Sequence, residues 1–94
     1  MIQCFSCSET EKLFKRSRTR KFPSEIQRRG LKKLTMLHAA VKLQDLRSPP
    51  GNRLELLEGD RAGQHSIRVN KAWRVCFRWE DGDAYDVEIN LHYQ

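Results

Sequence analysis

Residues 65–79 read HSIRVNKAWRVCFRW, with an apolar side chain at nearly every second position on either side of a polar break. Such alternation is typical of half-buried β-strands. It predicts one strand over His65–Val69 and a second over Trp73–Trp79, and the same pattern returns from Tyr85 to Leu91. Because short loops join neighbouring strands in opposite directions, these three strands predict an antiparallel β-meander.

The apolar positions also fix the register of the first two strands. Ile67 falls opposite Val75 when the loop has three residues, and Arg68 then falls opposite Arg74. Like charges directly opposite each other destabilise a sheet, whereas an anion bound between them would turn that cost into binding. The pair is therefore a candidate anion site. A polar sheet face on which both arginines extend into water is the alternative.

The second hairpin separates a third arginine from this pair. Matching the apolar residues of the last two strands predicts a five-residue loop over 80–84. In that register Arg78 pairs with Asp86, and Arg74 faces Asn90. Arg78 thus has a counter-ion, whereas the opposed pair has none.

The same parity places His92 on the side of the sheet that carries Arg68 and Arg74. Two arginines and an imidazole on one face form a constellation suited to handling phosphate. His65 shares the parity of the apolar residues, so we expect it to pack at a sheet edge, and His38 is expected on a helix surface.

A long amphipathic helix is predicted after Pro23, because apolar residues recur with a period close to 3.6. They are Ile26, Leu31, Leu34, Leu37, Val41 and Leu46. Ser24 is the expected N-cap, and the helix should end before Ser48, since two prolines follow. Its N-terminal half carries four cations outward: Arg28, Arg29, Lys32 and Lys33.

Three shorter elements complete the chain. Ile2–Phe5 predicts a strand, and Ser8 with Glu11 has the capping-box spacing for a helix from Glu9 to about Arg16. Leu54–Leu57 predicts another strand. The order β-α-α-β-β-β-β indicates an α+β fold with two N-terminal helices packed on a mainly antiparallel sheet.

The 94 residues are expected to form one domain, residues 1–94, because chains of this size rarely divide into two cores. No run approaches the roughly 18 apolar residues of a membrane span, and no secretory signal is visible, so we expect a cytoplasmic protein. Cys4-x-x-Cys7 lacks a second ligand pair. We therefore expect reduced thiols, with Cys4 packed inside, and no metal or other cofactor.

The net charge of +6 is unevenly distributed. Residues 1–33 hold ten Lys and Arg against three acids, whereas residues 34–94 hold eight against nine. A basic pole indicates an anionic partner, which can be a nucleic acid, a membrane surface or an acidic protein. A solvated basic face is the alternative without a partner.

Four segments carry a resemblance to the HigB branch of the RelE-like toxins, also called plasmid maintenance killer proteins. They are 49–54 (PPGNRL), 57–63 (LEGDRAG), 66–70 (SIRVN) and 73–79 (WRVCFRW). The resemblance implies a RelE-like fold and a toxin that cleaves mRNA, typically in the ribosomal A site, without a metal. It also implies a HigA-like antitoxin of the helix-turn-helix type, which binds the toxin.

The resemblance also implies roles for individual basic residues. Arg68 and Arg74 match the family's basic positions and suit stabilisation of the charge that develops on the phosphoryl group. Arg53, Arg61 and Lys71 are expected to hold flanking phosphates or ribosomal RNA.

The chain departs from the family at its end. Family members commonly end in Asp-Tyr-His, with a catalytic terminal histidine, whereas this chain reads Leu91-His92-Tyr93-Gln94. Tyr93 is expected to act as the base, because nearby arginines would stabilise its phenolate, and His92 as the acid. Some relatives also have His and Lys where this sequence has Glu55 and Glu58. A basic module that binds RNA or the ribosome with weak or no cleavage is the alternative function.

Overall fold

A computed structural model describes residues 1–91 of the chain. Its elements are the helices α1 (Ser8–Phe14) and α2 (Ser24–Ala39) and the strands β1 (Glu55–Leu56), β2 (His65–Arg68), β3 (Trp73–Glu80) and β4 (Asp83–Leu91). The strands form one antiparallel sheet in the order β1-β2-β3-β4. The predicted α+β class is confirmed, with two helices that precede a four-stranded antiparallel sheet.

The predicted register of β2 and β3 is confirmed. Ile67 pairs with Val75, and Arg68 pairs with Arg74. Ile67 and Val75 are fully buried. The burial of that face therefore holds the two arginines directly opposite each other on the other face.

The predicted five-residue loop between β3 and β4 is wrong. Glu80 pairs with Asp83, so the turn has only two central residues, Asp81 and Gly82. Both have positive φ, 49° and 83°, as the tight turns favoured by β-hairpins require. An extra residue in β4 near Asp86, whose φ is 53°, then shifts the register. This bulge returns the remainder of β4 to the predicted pairing.

The predicted extent of the long helix is also wrong. α2 ends at Ala39, because Ala40 takes up an extended backbone with φ −67° and ψ 134°. Val41, which the periodicity assigned to the apolar face, is 72% exposed. Leu46 is buried, but it lies in a separate 3₁₀ turn, Leu43–Arg47.

The predicted serine caps are wrong by one position. Ser8 and Ser24 are the first helical residues, and the N-cap residues are Cys7 and Pro23. Neither cap makes a side-chain hydrogen bond to its helix.

The N-terminal segment covers the outer edge of β4 rather than forming a full strand. Ile2 makes an isolated parallel bridge with Ala84, and Phe5 makes another with Val87. The predicted strand over 2–5 is therefore reduced to two bridges. They still satisfy backbone groups of β4 that would otherwise face solvent.

Two smaller expectations about side chains near this segment are wrong. His38 is half-buried rather than on the surface, and its Nδ1 accepts a hydrogen bond from the Ile2 N–H at 3.1 Å. Its ring centroid lies 5.2 Å from that of Phe14. Cys4 is exposed rather than packed inside, and the buried cysteine is Cys76.

One core cluster joins α2 to the longer strands. Its members include Ile26, Leu34, Leu37, Ile67, Val69, Val75, Phe77, Val87 and Ile89. Trp73 and Trp79 pack against it, as parity predicted. α2 approaches β4 closely at Gly30, where an added Cβ would lie 2.9 Å from Cδ1 of Ile89. Within residues 1–91, no helix has both the length and the apolar character to cross a membrane.

Thr10 links α1 to the sheet and supplies a test of this arrangement. Its side chain is fully buried, and Oγ1 accepts a hydrogen bond from the buried Ile89 N–H at 3.0 Å. Thr10→Val keeps the shape but leaves that N–H without a partner, so we expect a loss of about 1–3 kcal/mol in the free energy of unfolding. Urea denaturation measures it. Thr10→Ser retains the hydroxyl and should unfold nearer the wild-type midpoint.

Candidate functional site

One face of the sheet carries two rows of polar side chains, which the strand registers bring together. The first row crosses all four strands and contains Glu55, Ser66, Cys76 and Glu88. The second contains Arg68, Arg74 and Asn90. Since the neighbouring positions on β2 and β3 are buried apolar residues, this polar face is set by the alternation of the strands.

A cavity of about 180 Å³ opens on this face. Its lining residues are Arg53, Glu55, Ser66, Arg68, Asn70, Lys71, Trp73 and Arg74. The volume is below the roughly 300–1,000 Å³ of sites that enclose a small molecule. Four cationic side chains and one carboxylate line it. The cavity therefore suits a small anionic group, such as one phosphate of a longer chain.

The expectation that Arg74 has no counter-ion is wrong. Its Nη2 lies 2.8 Å from Oε1 of Glu55, and its side chain is only 12% exposed. Glu55 belongs to β1, where it pairs with Ser66. This position is diagonal to Arg74 across β2, within reach of a long side chain.

Arg68 differs from its partner in its contacts. Its Nε donates a hydrogen bond to the Asn70 carbonyl at 3.0 Å. Within residues 1–91, no carboxylate lies within ion-pair distance of Arg68. The terminal nitrogens of Arg68 thus remain available to an anion in the cavity.

The turn between β2 and β3 is held by a side chain rather than by glycine. Oδ1 of Asn70 accepts hydrogen bonds from the N–H groups of Ala72 and Trp73, at 2.8 and 2.9 Å. This Asx-type contact fixes the three-residue loop. Lys71 is exposed at its tip and lines the cavity.

Arg53 reaches the rim of the cavity from a strained backbone position. It follows the turn Pro50–Asn52 and has a φ of 45°. Asn52 is fully buried and donates to the Leu46 carbonyl at 3.1 Å. Lys33, which we expected to point outward, donates to Oδ1 of Asn52 instead.

Arg61 is not brought into this cluster. Its guanidinium lies 2.7 Å from Oε1 of Glu88 and also donates to Gln64 at 3.1 Å. It lines a neighbouring cavity that also contains Glu58 and Asp60. Of the five basic residues singled out from the sequence for binding or catalysis, the other four share the first cavity.

Arg78 has the predicted counter-ion, Asp86, although the predicted strand pairing of these two residues is wrong and Arg78 lies opposite Tyr85. Its Nε lies 3.4 Å from Oδ2 of Asp86, and it makes a second ion pair with Glu80. Its guanidinium also lies 4.9 Å from the ring centroid of Tyr85. These contacts occupy Arg78 outside the cavity.

Burial keeps two titratable groups of the sheet neutral. It lowers the pKa of His65, whose ring stacks on Phe77 with a centroid distance of 6.2 Å. Burial raises the pKa of the Cys76 thiol, although Arg61 and Arg74 act in the opposite direction. Neither group adds charge to the polar face near neutral pH. The predicted packing of His65 is confirmed, but its predicted place at a sheet edge is wrong, because His65 lies on β2 between Leu56 of β1 and Phe77 of β3.

His92 and Tyr93, the expected acid and base, lie outside the described residues. Within residues 1–91, no cluster of three or more His, Cys, Asp or Glu side chains is arranged to hold a metal ion. Sequence reasoning missed Glu55 and Asn70 as parts of the site. The alternation in residues 54–57 separates Glu55 from the apolar side chains of the strand. Only the pairing of β1 with β2 shows that Glu55 lies within reach of Arg74.

A family model and two related proteins that match this chain all carry the name HigB. A family model described as the RelE-like toxin of type II toxin-antitoxin system HigB matches residues 3–92. Toxin HigB-1 of Vibrio cholerae serotype O1 is 48% identical over 75 residues, which cover 80% of this chain and 79% of that protein. Endoribonuclease HigB of Proteus vulgaris is 32% identical over 85 residues, which cover 90% of this chain and 91% of that protein.

A solved structure shares the fold. A chain of the YoeB-YefM complex from Staphylococcus aureus matches with a TM-score of 0.61. The match covers 99% of both chains at 16% sequence identity. At that identity the likeness supports the fold alone.

The Asn70 turn provides a test of how the cavity is held. Asn70→Ala removes the acceptor of two backbone N–H groups, so we expect a loss of about 0.5–1.5 kcal/mol in the free energy of unfolding. Asn70→Asp keeps the acceptor and should retain most of that stability, which thermal denaturation can measure. Equal destabilisation by both substitutions would contradict the proposed role of Oδ1.

Proposed function

This chain belongs to the HigB family, RelE-like toxins of type II toxin-antitoxin systems, and we propose that it is a ribosome-dependent endoribonuclease that cleaves mRNA without a metal. Cleavage of translated messages would inhibit protein synthesis and growth, in the cytoplasm where ribosomes are found. The observation that carries the proposal is the direct opposition of Arg68 and Arg74 in a cavity lined by four cations.

RNA supplies its own nucleophile, which suits a site built from side chains alone. The 2′-oxygen attacks the adjacent phosphorus as its proton is removed, and the bond from phosphorus to the 5′-oxygen breaks. The 5′-oxygen takes up a proton, so the products are a 2′,3′-cyclic phosphate and a 5′-hydroxyl end. Catalysis then requires a base, an acid and stabilisation of the extra negative charge on the phosphoryl oxygens.

Arg68 and Arg74 are proposed to stabilise that charge. Guanidinium groups bind phosphate oxygens through paired N–H donors, and such contacts are strong when water is excluded. Arg74 is largely buried and held by Glu55 at 2.8 Å, so its position is preorganised. Arg68 has no such partner within residues 1–91 and is the freer of the two to follow the phosphate.

Cleavage also needs an acid and a base, and three residues are proposed for these two roles. We propose His92 as the acid that protonates the 5′-oxygen and Tyr93 as a base. Glu55 is the one carboxylate among the described residues that line the cavity. It is therefore a second candidate to accept the proton from the 2′-hydroxyl.

The remaining basic residues are proposed to bind RNA outside the scissile phosphate. Arg53 and Lys71 line the rim of the same cavity and suit the flanking phosphates. Arg61 is paired with Glu88 and lies beside the cavity, which suits contact with ribosomal RNA. In this proposal both helices pack on one face of the sheet, as in the RelE-like fold, and leave the polar face to RNA.

We also propose a HigA-like antitoxin of the helix-turn-helix type as the protein partner. Membership in a toxin-antitoxin family supports an antitoxin partner, and so does the fold shared with a chain of the YoeB-YefM complex. The positive net charge of this chain suits an acidic contact surface on that partner.

Joint replacement of Arg68 and Arg74 by alanine tests the proposed chemistry. Removal of both charge-stabilising groups should lower cleavage by at least about 10²–10³-fold, because the loss of one such donor already has an effect of that size. Growth arrest on expression and the mapping of new 5′ ends on a translated mRNA measure the effect. The fold should remain intact, since loss of an opposed like-charge pair relieves repulsion in the sheet.

Arg78→Ala is the matched control, because Arg78 lies on β3 but is paired outside the cavity. It should remain toxic. A double variant that stays as toxic as the wild type would show that the polar face is not the active site. A wild-type protein that arrests growth but leaves no new 5′ ends would support an RNA-binding or ribosome-binding module instead.

Glu55→Gln separates proton transfer from phosphate binding. The substitution removes a carboxylate but keeps its size, so non-cleavable RNA should bind at least as tightly as before. If Glu55 accepts the 2′-hydroxyl proton, kcat should fall by about 10²–10⁴-fold. Single-turnover cleavage and equilibrium binding measure the two effects. An unchanged kcat would leave Glu55 only the role of holding Arg74.

A further inference from the structure

A second basic cavity lies on the far side of the turn between β2 and β3. Its lining residues are Arg29, Gly51, Arg68, Val69, Asn70 and Lys71. Three of these, Arg68, Asn70 and Lys71, also line the cavity that holds Arg74. The two cavities are therefore neighbours that share Arg68 and the turn at Asn70 and Lys71.

The charges on the two sides of the first cavity differ, and this difference would orient an RNA strand bound to the polar face. On one side, the first cavity adjoins the space lined by Glu58 and Asp60, with which it shares Glu55 and Arg74. On the other side, the Arg29 cavity has three cationic side chains, and no carboxylate is among its described lining residues. Arg61 and Arg74 also line the former space, so its charges are mixed, and a polyanion that leaves the first cavity is attracted more strongly by the Arg29 cavity.

We propose that the Arg29 cavity is a second phosphate subsite, which binds the backbone phosphate of a nucleotide next to the scissile one. The inference rests on the proposed function, because it extends the same RNA strand beyond the Arg68–Arg74 pair. Arg68 and Lys71 line both subsites, and Arg29 supplies the new contact from α2.

The present partner of Arg29 does not prevent this role. Nη1 of Arg29 lies 3.1 Å from Oε1 of Glu25, one helical turn earlier. Both side chains are about half exposed, at 50% and 56%. Exposed pairs of this kind contribute little to stability, so a backbone phosphate, whose single negative charge is shared by two oxygens, can replace Glu25.

Gly51 offers a way to change the subsite without disturbing the core. A Cβ added there would have no heavy atom within 4 Å, and its φ is not in the left-handed region. Gly51→Asp would add a negative charge at the wall of the subsite. Gly51→Asn has nearly the same size and serves as its neutral control.

The experiment measures binding of 2′-O-methyl RNA, which cannot be cleaved, to the full chain by fluorescence anisotropy at several salt concentrations. An eight-nucleotide strand spans both subsites, whereas a dinucleotide fills only the first. Arg29→Gln should weaken binding of the longer strand about fivefold or more and reduce its salt slope by about 0.7, as expected for one contact to a single strand. Binding of the dinucleotide should not change.

Arg28→Gln is the matched control, because Arg28 is exposed on the same helix but does not line the subsite. It should alter binding less than twofold, and Gly51→Asp should bind the longer strand more weakly than Gly51→Asn. Equal losses from Arg28→Gln and Arg29→Gln would overturn the subsite, as would equal affinities of the two Gly51 variants. If the length-dependent losses occur but the wild type cuts no RNA on ribosomes, the subsite stands and the nuclease proposal fails.

Discussion

The pairing of Arg68 with Arg74 across β2 and β3 is the constraint on which the polar face depends. Because Ile67 and Val75 are both buried, the chain cannot slip by one residue without exposing them, and the two guanidinium groups are held opposite each other. Such a pair weakens a sheet unless an anion lies close. Glu55 offsets the charge of Arg74, and no carboxylate of residues 1–91 pairs with Arg68, so this part of the chain leaves one charge of the pair for a ligand.

The rest of the sheet keeps this geometry in place. A two-residue turn between β3 and β4 would by itself shift the pairing of β4 by one residue, and the polar side chains of β4 would then leave the polar face. The bulge near Asp86 reverses that shift. Asn90 therefore stays opposite Arg74. The N-terminal segment and the buried hydroxyl of Thr10 then satisfy the outer edge of β4, which limits its freedom to shift.

Much of this site follows from the sequence because a period of two is a local property. The opposed arginines needed only the alternation of residues 65–79 and a short loop. The loop between β3 and β4 was predicted wrongly because two arrangements give the same pairing at the far end of β4. One is a five-residue loop without a bulge, and the other is a two-residue turn followed by a bulge. Alternation of apolar residues does not distinguish them. Glu55 was missed for a different reason: β1 has only two residues, too few to define its pairing from pattern. The ends of the helices were misplaced because capping depends on backbone conformation, which the identity of Ser8 or Ser24 does not fix.

The tertiary fold places part of the basic N-terminal region next to the opposed arginines. The strongly basic region, residues 1–33, and the opposed arginines are distant in sequence. The turn at Asn70 and Lys71 brings them together, because it borders both the Arg74 cavity and the cavity reached by Arg29. Three acids of the C-terminal region, Glu55, Glu58 and Asp60, line the space on the other side, together with Arg61 and Arg74. A net charge of +6 would attract any polyanion, whereas this uneven distribution of charge would favour one direction for the proposed RNA strand across the sheet.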